Sequence, residues 1–292
     1  MDIVSNSHPI MSDDRAFNYG DGVFTTMCVN NGHVELLPYH LRRLTHDTNV
    51  LGIAIDIPRL SDAIEHAVAI EISKAASAKR FVLKVHVSAG HGGRGYARDP
   101  HSKATVRLTV HPYPAAYETL WSSGITAICA ETRMAIQPLF AGVKHMNRLE
   151  QVFIKQEIAR KPDVQDALVF DTEGNVVESS AGNVFFYQNG TWYTPAIDKA
   201  GVNGVVRQCL IEHMRASNTP VIEGSFTLND VQSAHAIAIT NAVLGVMWVS
   251  KLIVPPNDAS PAKEHVATFS NGQHLCNTLR TVFEQYIDSG KQ

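Results

Sequence analysis

Residues 141–151 read Ala141-Gly142-Val143-Lys144-His145-Met146-Asn147-Arg148-Leu149-Glu150-Gln151, and this stretch decides how the rest of the chain is read. One lysine follows a Gly-Val pair. Behind it Met146, Leu149, Val152 and Phe153 recur at helical spacing, which predicts a helix that buries this face. Lys144 is therefore expected where an extended segment turns into a helix. A cation there meets the positive end of the helix dipole, the unfavourable end. A lysine kept in such a place is better explained by a task, and partial burial would favour its neutral, nucleophilic form. The stretch suggests a lysine that forms an imine; a solvated lysine at a helix start is the competing reading.

The chain has 292 residues, 45% of them hydrophobic, which suffices for one large domain or two medium ones with a sizeable core. A net charge of −3 argues against a nucleic-acid binder that works by neutralising phosphates. Cys28, Cys129, Cys209 and Cys276 are scattered and form no CxxC pair. Neither a metal site nor a disulfide framework is expected, and a reducing, cytoplasmic setting fits. None of the 14 histidines falls in an HxxxH or HExxH pattern. Residues 1–11 show no basic region followed by an apolar run, so no signal peptide is read. No apolar run approaches the roughly 20 residues of a membrane span.

Working outward, residues 12–21 read as a polar turn leading into a strand over Gly22–Val29. Gly20 and Gly22 flank Asp21, which suits a tight turn or a close backbone approach. Asn30-Asn31-Gly32 is a hairpin turn with a return strand over His33–Leu37. Leu41, Leu44, Thr48 and Leu51 share a helix face behind Pro38, and this helix carries Arg42 and Arg43, one of which could reach an anion. A second helix is predicted from Arg59 to about Ala78. Strands over 81–88 and 104–110 enclose Gly90-His91-Gly92-Gly93-Arg94-Gly95-Tyr96, a glycine-rich loop without the P-loop pattern. It reads either as a mobile hairpin loop or as a site offering Arg94 to a carboxylate. Two prolines in 111–117 suggest a stiff linker. The domain expectation is a smaller unit over 1–112, a linker over 113–118 and a larger unit over 119–292.

In the second half a strand over 125–130 leads towards Lys144, and 166–171 and 176–178 flank a hairpin turn. Glu178-Ser179-Ser180-Ala181-Gly182-Asn183 sets one carboxylate among small residues, which permit another body to pack closely against the backbone. Gly201-Val202-Asn203-Gly204 then enters a helix with Val206, Cys209, Leu210 and His213 on one face. A helix start preceded by glycines offers free N–H groups and a positive dipole end to a phosphate. A strand over 235–240 ends in Thr240-Asn241-Ala242, and a terminal helix carries Leu275, Leu279, Val282 and Phe283. An imine-ready lysine, a carboxylate among small residues, a phosphate-ready helix start and an arginine are the needs of a pyridoxal 5'-phosphate (PLP) enzyme.

The motifs DRAFNYGDGVF, HLRRL, GGRGY, AGVKHMNRLEQ, DALVFDTEGNVVESSAGNVFF and AGVNGVVRQ, spread from Ser12 to about Leu252, resemble the fold-type IV PLP enzymes. That family includes branched-chain and D-amino-acid aminotransferases. GGRGY and KHMNRLEQ favour its lyase members, which release pyruvate from an amino-cyclohexadiene enolpyruvyl ether and leave 4-aminobenzoate. The resemblance implies an α/β (α+β) fold of two domains with the cofactor in the cleft between them, a small-molecule substrate and a homodimer. It implies that Lys144 carries the cofactor, Glu178 pairs with its pyridine nitrogen, and Arg43 binds its phosphate. Val205 and Val206 would hold the phosphate through backbone amides, with Asn241 as a further polar contact. Arg94 and Tyr96 would face the substrate. Members of the family begin with a short strand, and the irregular residues 1–11 depart from that pattern.

Overall fold

The computed structural model describes residues 1–4, 7–74, 78–256 and 264–288. The chain forms two compact units: residues 1–114 together with 143–148, and residues 115–142 together with 149–291. Both mix helices and strands, as the α/β expectation requires.

In the first unit β1 (Asp2–Val4), α1 (Arg15–Tyr19), β2 (Gly22–Asn30), β3 (His33–Val34), α2 (Leu37–Val50), α3 (Ile57–Ser73), β4 (Arg80–Ser88) and β5 (Thr105–Pro112) follow in order. Their sheet runs β1-β5-β4-β2-β3, with β1 parallel to β5 and the other neighbours antiparallel. Side chains alternate across a strand. Val23, Met27, Val29, Leu83, Val85, Val87 and Val106 therefore share one face and pack with Leu44 of α2 and Leu60, Ile64 and Val68 of α3. Phe24, Lys84, His86 and Arg107 fall on the other face. Asp56 caps α3 by accepting the Arg59 amide, which starts that helix at Ile57; it ends at Ser73, short of Ala78, and residues 75–77 lie outside the described residues. The irregular start still forms a strand, because Asp2 donates its amide to the Ala104 carbonyl and β1 pairs along β5. The return strand β3 is only two residues long, and residues 15–19 of the expected polar turn are helical, capped by Asp14 and stopped by Gly20 at φ 63°.

The stretch around Lys144 corrects two expectations. Residues 143–148 form no helix start; they lie along β2, with Phe24 donating to the Lys144 carbonyl at 3.0 Å and Met146 donating to the Gly22 carbonyl at 2.9 Å. Gly20 and Gly22 allow this approach: a Cβ on Gly20 would meet Asn147 at 2.2 Å, and one on Gly22 would meet the Val87 carbonyl at 2.4 Å. The helix α5 (Leu149–Ala159) begins five residues after Lys144 and buries Ile154 and Ile158, while Leu149, Val152 and Phe153 are exposed. Periodicity found an apolar stripe there but could not say which stripe the rest of the unit would cover.

The second unit adds α4 (Ala116–Ser123), β6 (Ile125–Met134), α5, β7 (Asp166–Asp171), β8 (Val176–Ser179), β9 (Asn183–Gln188), β10 (Thr191–Pro195), α6 (Val205–Ala216), β11 (Val221–Gly224), α7 (Leu228–Gln232), β12 (Ala236–Asn241), β13 (Gly245–Val254), β14 (His265–Thr268) and α8 (Gly272–Asp288). α4 begins inside the segment read as linker. The sheet runs β11-β10-β9-β12-β13-β6-β7-β8, with β14 also on β13. Its central strands are buried on both faces, and their near-continuous Val/Ile/Ala/Phe runs follow from that. Cys276, Leu279 and Phe283 bury the inner face of α8.

One ion cluster shapes the glycine-rich loop of the first unit. Asp21 accepts from Arg15 Nε at 2.8 Å and from Arg98 Nε at 2.9 Å. The Arg15 guanidinium also donates to the carbonyls of Tyr96 (2.9 Å) and Ala97 (3.2 Å), and Arg98 reaches the Leu51 carbonyl at 2.7 Å. Burial alone would raise the Asp21 carboxyl; hydrogen bonds and charge from Arg98 and Arg15 outweigh it and hold the group below its ordinary value. A depressed folded value stabilises the protein above the ordinary carboxylate range and loses that contribution as pH falls through the folded value. Asp21→Asn is expected to lower the Tm at neutral pH and to flatten its fall below about pH 4, measured by thermal unfolding across pH; parallel curves for both proteins would show that the cluster does not contribute.

Candidate active site

In the first unit, Lys144 is held by its backbone before its side chain acts. Its amide donates to Asp47 Oδ2 at 2.9 Å, and Asp47 is fully buried on α2. Arg148 ties the segment down by donating to the carbonyls of His145 (2.9 Å) and Val143 (2.7 Å). The Lys144 ammonium stands 4.5 Å from the centroid of the Phe24 ring, a cation–π contact. The segment needs no helix dipole to place the amine, because the ladder on β2 does so.

Of the two neighbouring arginines, Arg43 is the buried one. Arg42 lies over the Tyr39 ring, whereas Arg43 is buried, donates to Thr25 Oγ1, and keeps its Nε without a hydrogen-bond partner. Burial lowers the Arg43 guanidinium to about 10 against the opposing pull of Asp47. His40, bonded to Thr25 through Nδ1 at 2.6 Å, is pushed well below its ordinary value by burial, then by Arg43 and Lys144. Burial, with Arg148 and Lys144, likewise brings His145 down to about 4. The structure thus gathers Arg43 and Lys144 around a neutral His40. Such a set of cations is suited to an anion.

Glu178 and the start of α6 come together in the second unit. Glu178 is buried on β8; its Oε2 accepts the Val202 amide at 2.9 Å, and Gln151 donates to its Oε1 at 3.4 Å. Asn183 then bridges the same turn, donating to the Val202 carbonyl at 2.8 Å and accepting the Gly204 amide at 3.1 Å. Arg207 holds Asn203 Oδ1 at 3.2 Å. Gly204 caps α6 without a side-chain acceptor, so the first-turn amides, those of Val205 and Val206 among them, have no intrahelical partner and face an anion-ready end. The small residues before β9 serve the chain itself: a Cβ on Gly182 would meet the Thr240 carbonyl at 2.6 Å.

Asn241, Arg94 and Tyr96 are three further expected site residues. Asn241 spends its side chain on a turn, donating to the Ala181 carbonyl at 3.0 Å and accepting the amides of Val243 and Leu244 at 2.9 Å. Its neighbour Thr240 instead has a buried hydroxyl with no partner, as does Ser179. Arg94 and Tyr96 are exposed, Tyr96 at 88%; the Tyr96 ring meets the edge of Tyr19 at 5.6 Å between centroids, and its carbonyl accepts from Arg15. Sequence reasoning missed Asn183, Thr240 and Ser179. The first sits one residue past the small-residue run and the second beside Asn241, but only their bonding, or its lack, marks them.

These donors fit PLP. In the first unit the Lys144 amine suits an aldehyde and the orphaned Arg43 Nε suits an anion; in the second the buried Glu178 carboxylate suits a pyridine nitrogen, and the orphaned hydroxyls of Ser179 and Thr240 and the open amides of α6 each suit a phosphate. A profile of the family described as amino-transferase class IV matches residues 22–252. The chain is 32% identical to an aminodeoxychorismate lyase of Vibrio harveyi over 84% of this chain and 88% of that one. Its fold superposes on a 4-amino-4-deoxychorismate lyase from Pseudomonas aeruginosa with a TM-score of 0.83 at 29% identity, covering 98% and 97% of the two chains. A hypothetical aminotransferase from Mycobacterium tuberculosis in a PLP-bound form shares the fold with a TM-score of 0.81 at 22% identity, covering 99% and 96%.

Asn183→Leu removes both bonds that brace the turn between Glu178 and α6 and leaves a buried carbonyl and amide unpaired. A loss of about 1–3 kcal/mol in stability is expected, read by denaturant unfolding of the protein without added cofactor. An unchanged midpoint would mean that the turn holds itself.

Proposed function

The chain belongs to the class IV aminotransferase family, and from that premise we propose that it is a PLP-dependent lyase converting 4-amino-4-deoxychorismate to 4-aminobenzoate and pyruvate. The observation that carries this reading is the likeness, over nearly the whole chain, to aminodeoxychorismate lyases in both sequence and fold. The site chemistry supports it.

PLP, when bound, supplies an aldehyde that takes the substrate amine and a protonated ring that withdraws electrons from the carbon bearing that amine. Glu178, buried and oriented by the Val202 amide, keeps the ring nitrogen protonated. Arg43 and the amides of Val205 and Val206 would hold the cofactor's phosphate. Lys144, once its amine is free, takes the proton from the substrate carbon. Its backbone bonds to Asp47 and Phe24 hold it in one place, so proximity and general base catalysis act through the same group. The electron pair left on the substrate expels the enolpyruvyl oxygen, pyruvate departs, and the six-membered ring becomes aromatic. No amino acceptor is consumed.

Arg94 and Tyr96 are assigned to the substrate side through the exposed loop, and Asn241 to the frame of the phosphate site. A homodimer is part of the reading: α5 exposes Leu149, Val152 and Phe153 along one side, apolar surface that a second copy would cover. None of the four cysteines forms a disulfide, which fits a reducing cytoplasm. An aminotransferase acting on branched-chain or D-amino acids would use the same Lys144, Glu178 and Arg43 and is the second reading, supported by the family match.

The purified protein, mixed with freshly made aminodeoxychorismate and no amino acceptor, is expected to release 4-aminobenzoate and pyruvate in equal amounts. Conversion of an amino donor and a keto acid in its place would establish the aminotransferase. Lys144→Ala is expected to lower turnover at least about a thousandfold with an unchanged circular dichroism spectrum. Glu178→Gln is expected to retain cofactor and lose most turnover, and full activity in either variant would remove the role assigned to that residue.

A further inference from the structure

The polar face of the first sheet carries groups that the roles above leave unused. Strand register arranges them in rows. Phe24 on β2 lies opposite His86 on β4, and His86 lies opposite Arg107 on β5. Lys144 continues that row on the far side of Phe24, its carbonyl accepting the Phe24 amide. The next row is Thr26, Lys84 and Thr109. From there the Lys84 ammonium reaches over the Phe24 ring, 4.8 Å from its centroid, and Lys144 stands over the same ring at 4.5 Å. The rings of Phe24 and His86 stack at 6.0 Å with 24° between their planes. The Phe24 ring thus stacks against His86 and lies within cation–π distance of two ammoniums, those of Lys84 and Lys144.

The charge on this face is not balanced. Among the described residues no carboxylate is bonded to or ion-paired with Lys84 or His86. Burial lowers the Lys84 ammonium from its ordinary value with no acid to oppose it. Burial, then Lys84, Arg107 and His111, bring His86 down to about 4, so it is neutral at physiological pH. Its Nδ1 is buried without a partner. Arg107 is engaged elsewhere, donating to the carbonyls of His8 at 2.7 Å and Pro9 at 3.4 Å. What stays open is one half-buried ammonium beside one orphaned imidazole nitrogen. Each is disfavoured in that setting until a ligand satisfies it.

We propose that Lys84, with His86 beside it, is the recognition subsite for a carboxylate of the substrate. The inference rests on the lyase reading and gives it a determinant of specificity. In 4-aminobenzoate and its precursor a single six-membered ring separates the amine from the ring carboxylate. Lys144, which works at the carbon bearing the amine, and Lys84 stand 4.5 Å and 4.8 Å from the centroid of one six-membered ring, that of Phe24. The substrate ring lies beside Phe24, between the two ammoniums that flank it, with its carboxylate directed to Lys84. The enolpyruvyl carboxylate is the other group of the same chemistry on that substrate.

The test compares Lys84→Gln and Lys84→Arg with the parent holoenzyme. Calorimetry measures binding of 4-aminobenzoate and of its uncharged counterpart 4-aminobenzamide, and kinetics give KM and kcat for aminodeoxychorismate. The glutamine variant is expected to raise KM about tenfold or more while kcat and the visible cofactor band stay as in the parent, and the arginine variant to recover most of the loss. If 4-aminobenzoate binding weakens in step and 4-aminobenzamide binding does not, Lys84 reads the ring carboxylate. If KM rises and 4-aminobenzoate binding is unchanged, it reads the enolpyruvyl carboxylate. Unchanged KM and unchanged 4-aminobenzoate affinity in Lys84→Gln overturn the subsite and leave the lyase reading standing. Should the parent protein release no 4-aminobenzoate, the lyase reading falls; the subsite then falls with it only if the parent binds 4-aminobenzoate no better than the amide, since that comparison needs no turnover.

Discussion

The hydrogen bond from the Lys144 amide to the buried carboxylate of Asp47, together with the two backbone bonds that lay 143–148 along β2, is the constraint on which the first unit's share of the site depends. A lysine side chain has four rotatable carbons and much entropy to lose. Fixing its backbone from two sides removes most of the positional freedom before the side chain is used. The same bonds explain two features nearby. Gly20 and Gly22 are glycines because Asn147 and the Val87 carbonyl leave no room for a Cβ. Arg148 folds its guanidinium back on its own segment because the carbonyls of Val143 and His145 find no ladder partner there.

The second unit solves a different problem, which is to set a buried carboxylate and a helix start in fixed relation. The peptide of Val202 does this: its N–H is taken by Glu178 and its C=O by Asn183, while Asn183 also takes the amide of Gly204, the residue that caps α6. Gly201 at φ 87° sits against Val177, whose Cγ1 a Cβ there would meet at 2.7 Å. A shift of the acid is thereby transmitted to the helix start through two peptide units. Catalytic constellations built on such short, fully bonded connections hold their geometry better than ones carried on free loops.

Electrostatics ties the first unit's groups into one pattern. Arg43, Lys144, Arg148 and Lys84 are cations in or beside buried surface, and His40, His86 and His145 are all held below their ordinary values. Neutral histidines add hydrogen-bonding capacity without adding charge to a region already positive. A protein surface so arranged binds groups with several negative charges and draws them in from solution. A phosphorylated cofactor and a dicarboxylate substrate are both of that kind.

Much of this was legible in the sequence, and the limits have physical causes. The β-branched and aromatic run over 22–29, the alternation over 81–88, the Asn30-Asn31-Gly32 turn and the apolar spacing of α2, α6 and α8 are local properties, and the chain adopts them where they were read. Lys144, Glu178 and the α6 start could be singled out because unusual residue types stand at unusual places: a lysine behind Gly-Val, an acid among small residues, a glycine before a helix; between Arg42 and Arg43 only the family resemblance chose. The misplaced elements all depend on distant partners. Residues 143–148 became a ladder on β2 and not a helix start because β2 offered its edge there, more than a hundred residues earlier in the chain. Leu149, Val152 and Phe153 are exposed because β6 and β7 cover Ile154 and Ile158, and both stripes look equally apolar in one dimension. The roles of Asn183, Thr240 and Lys84 follow from which bonds are made and which buried atoms lack one. Local pattern determined the elements and named the reactive groups; only tertiary packing decided which backbone holds them and which polar atoms are left for a ligand, because a hydrogen bond between distant segments exists only once both are in place.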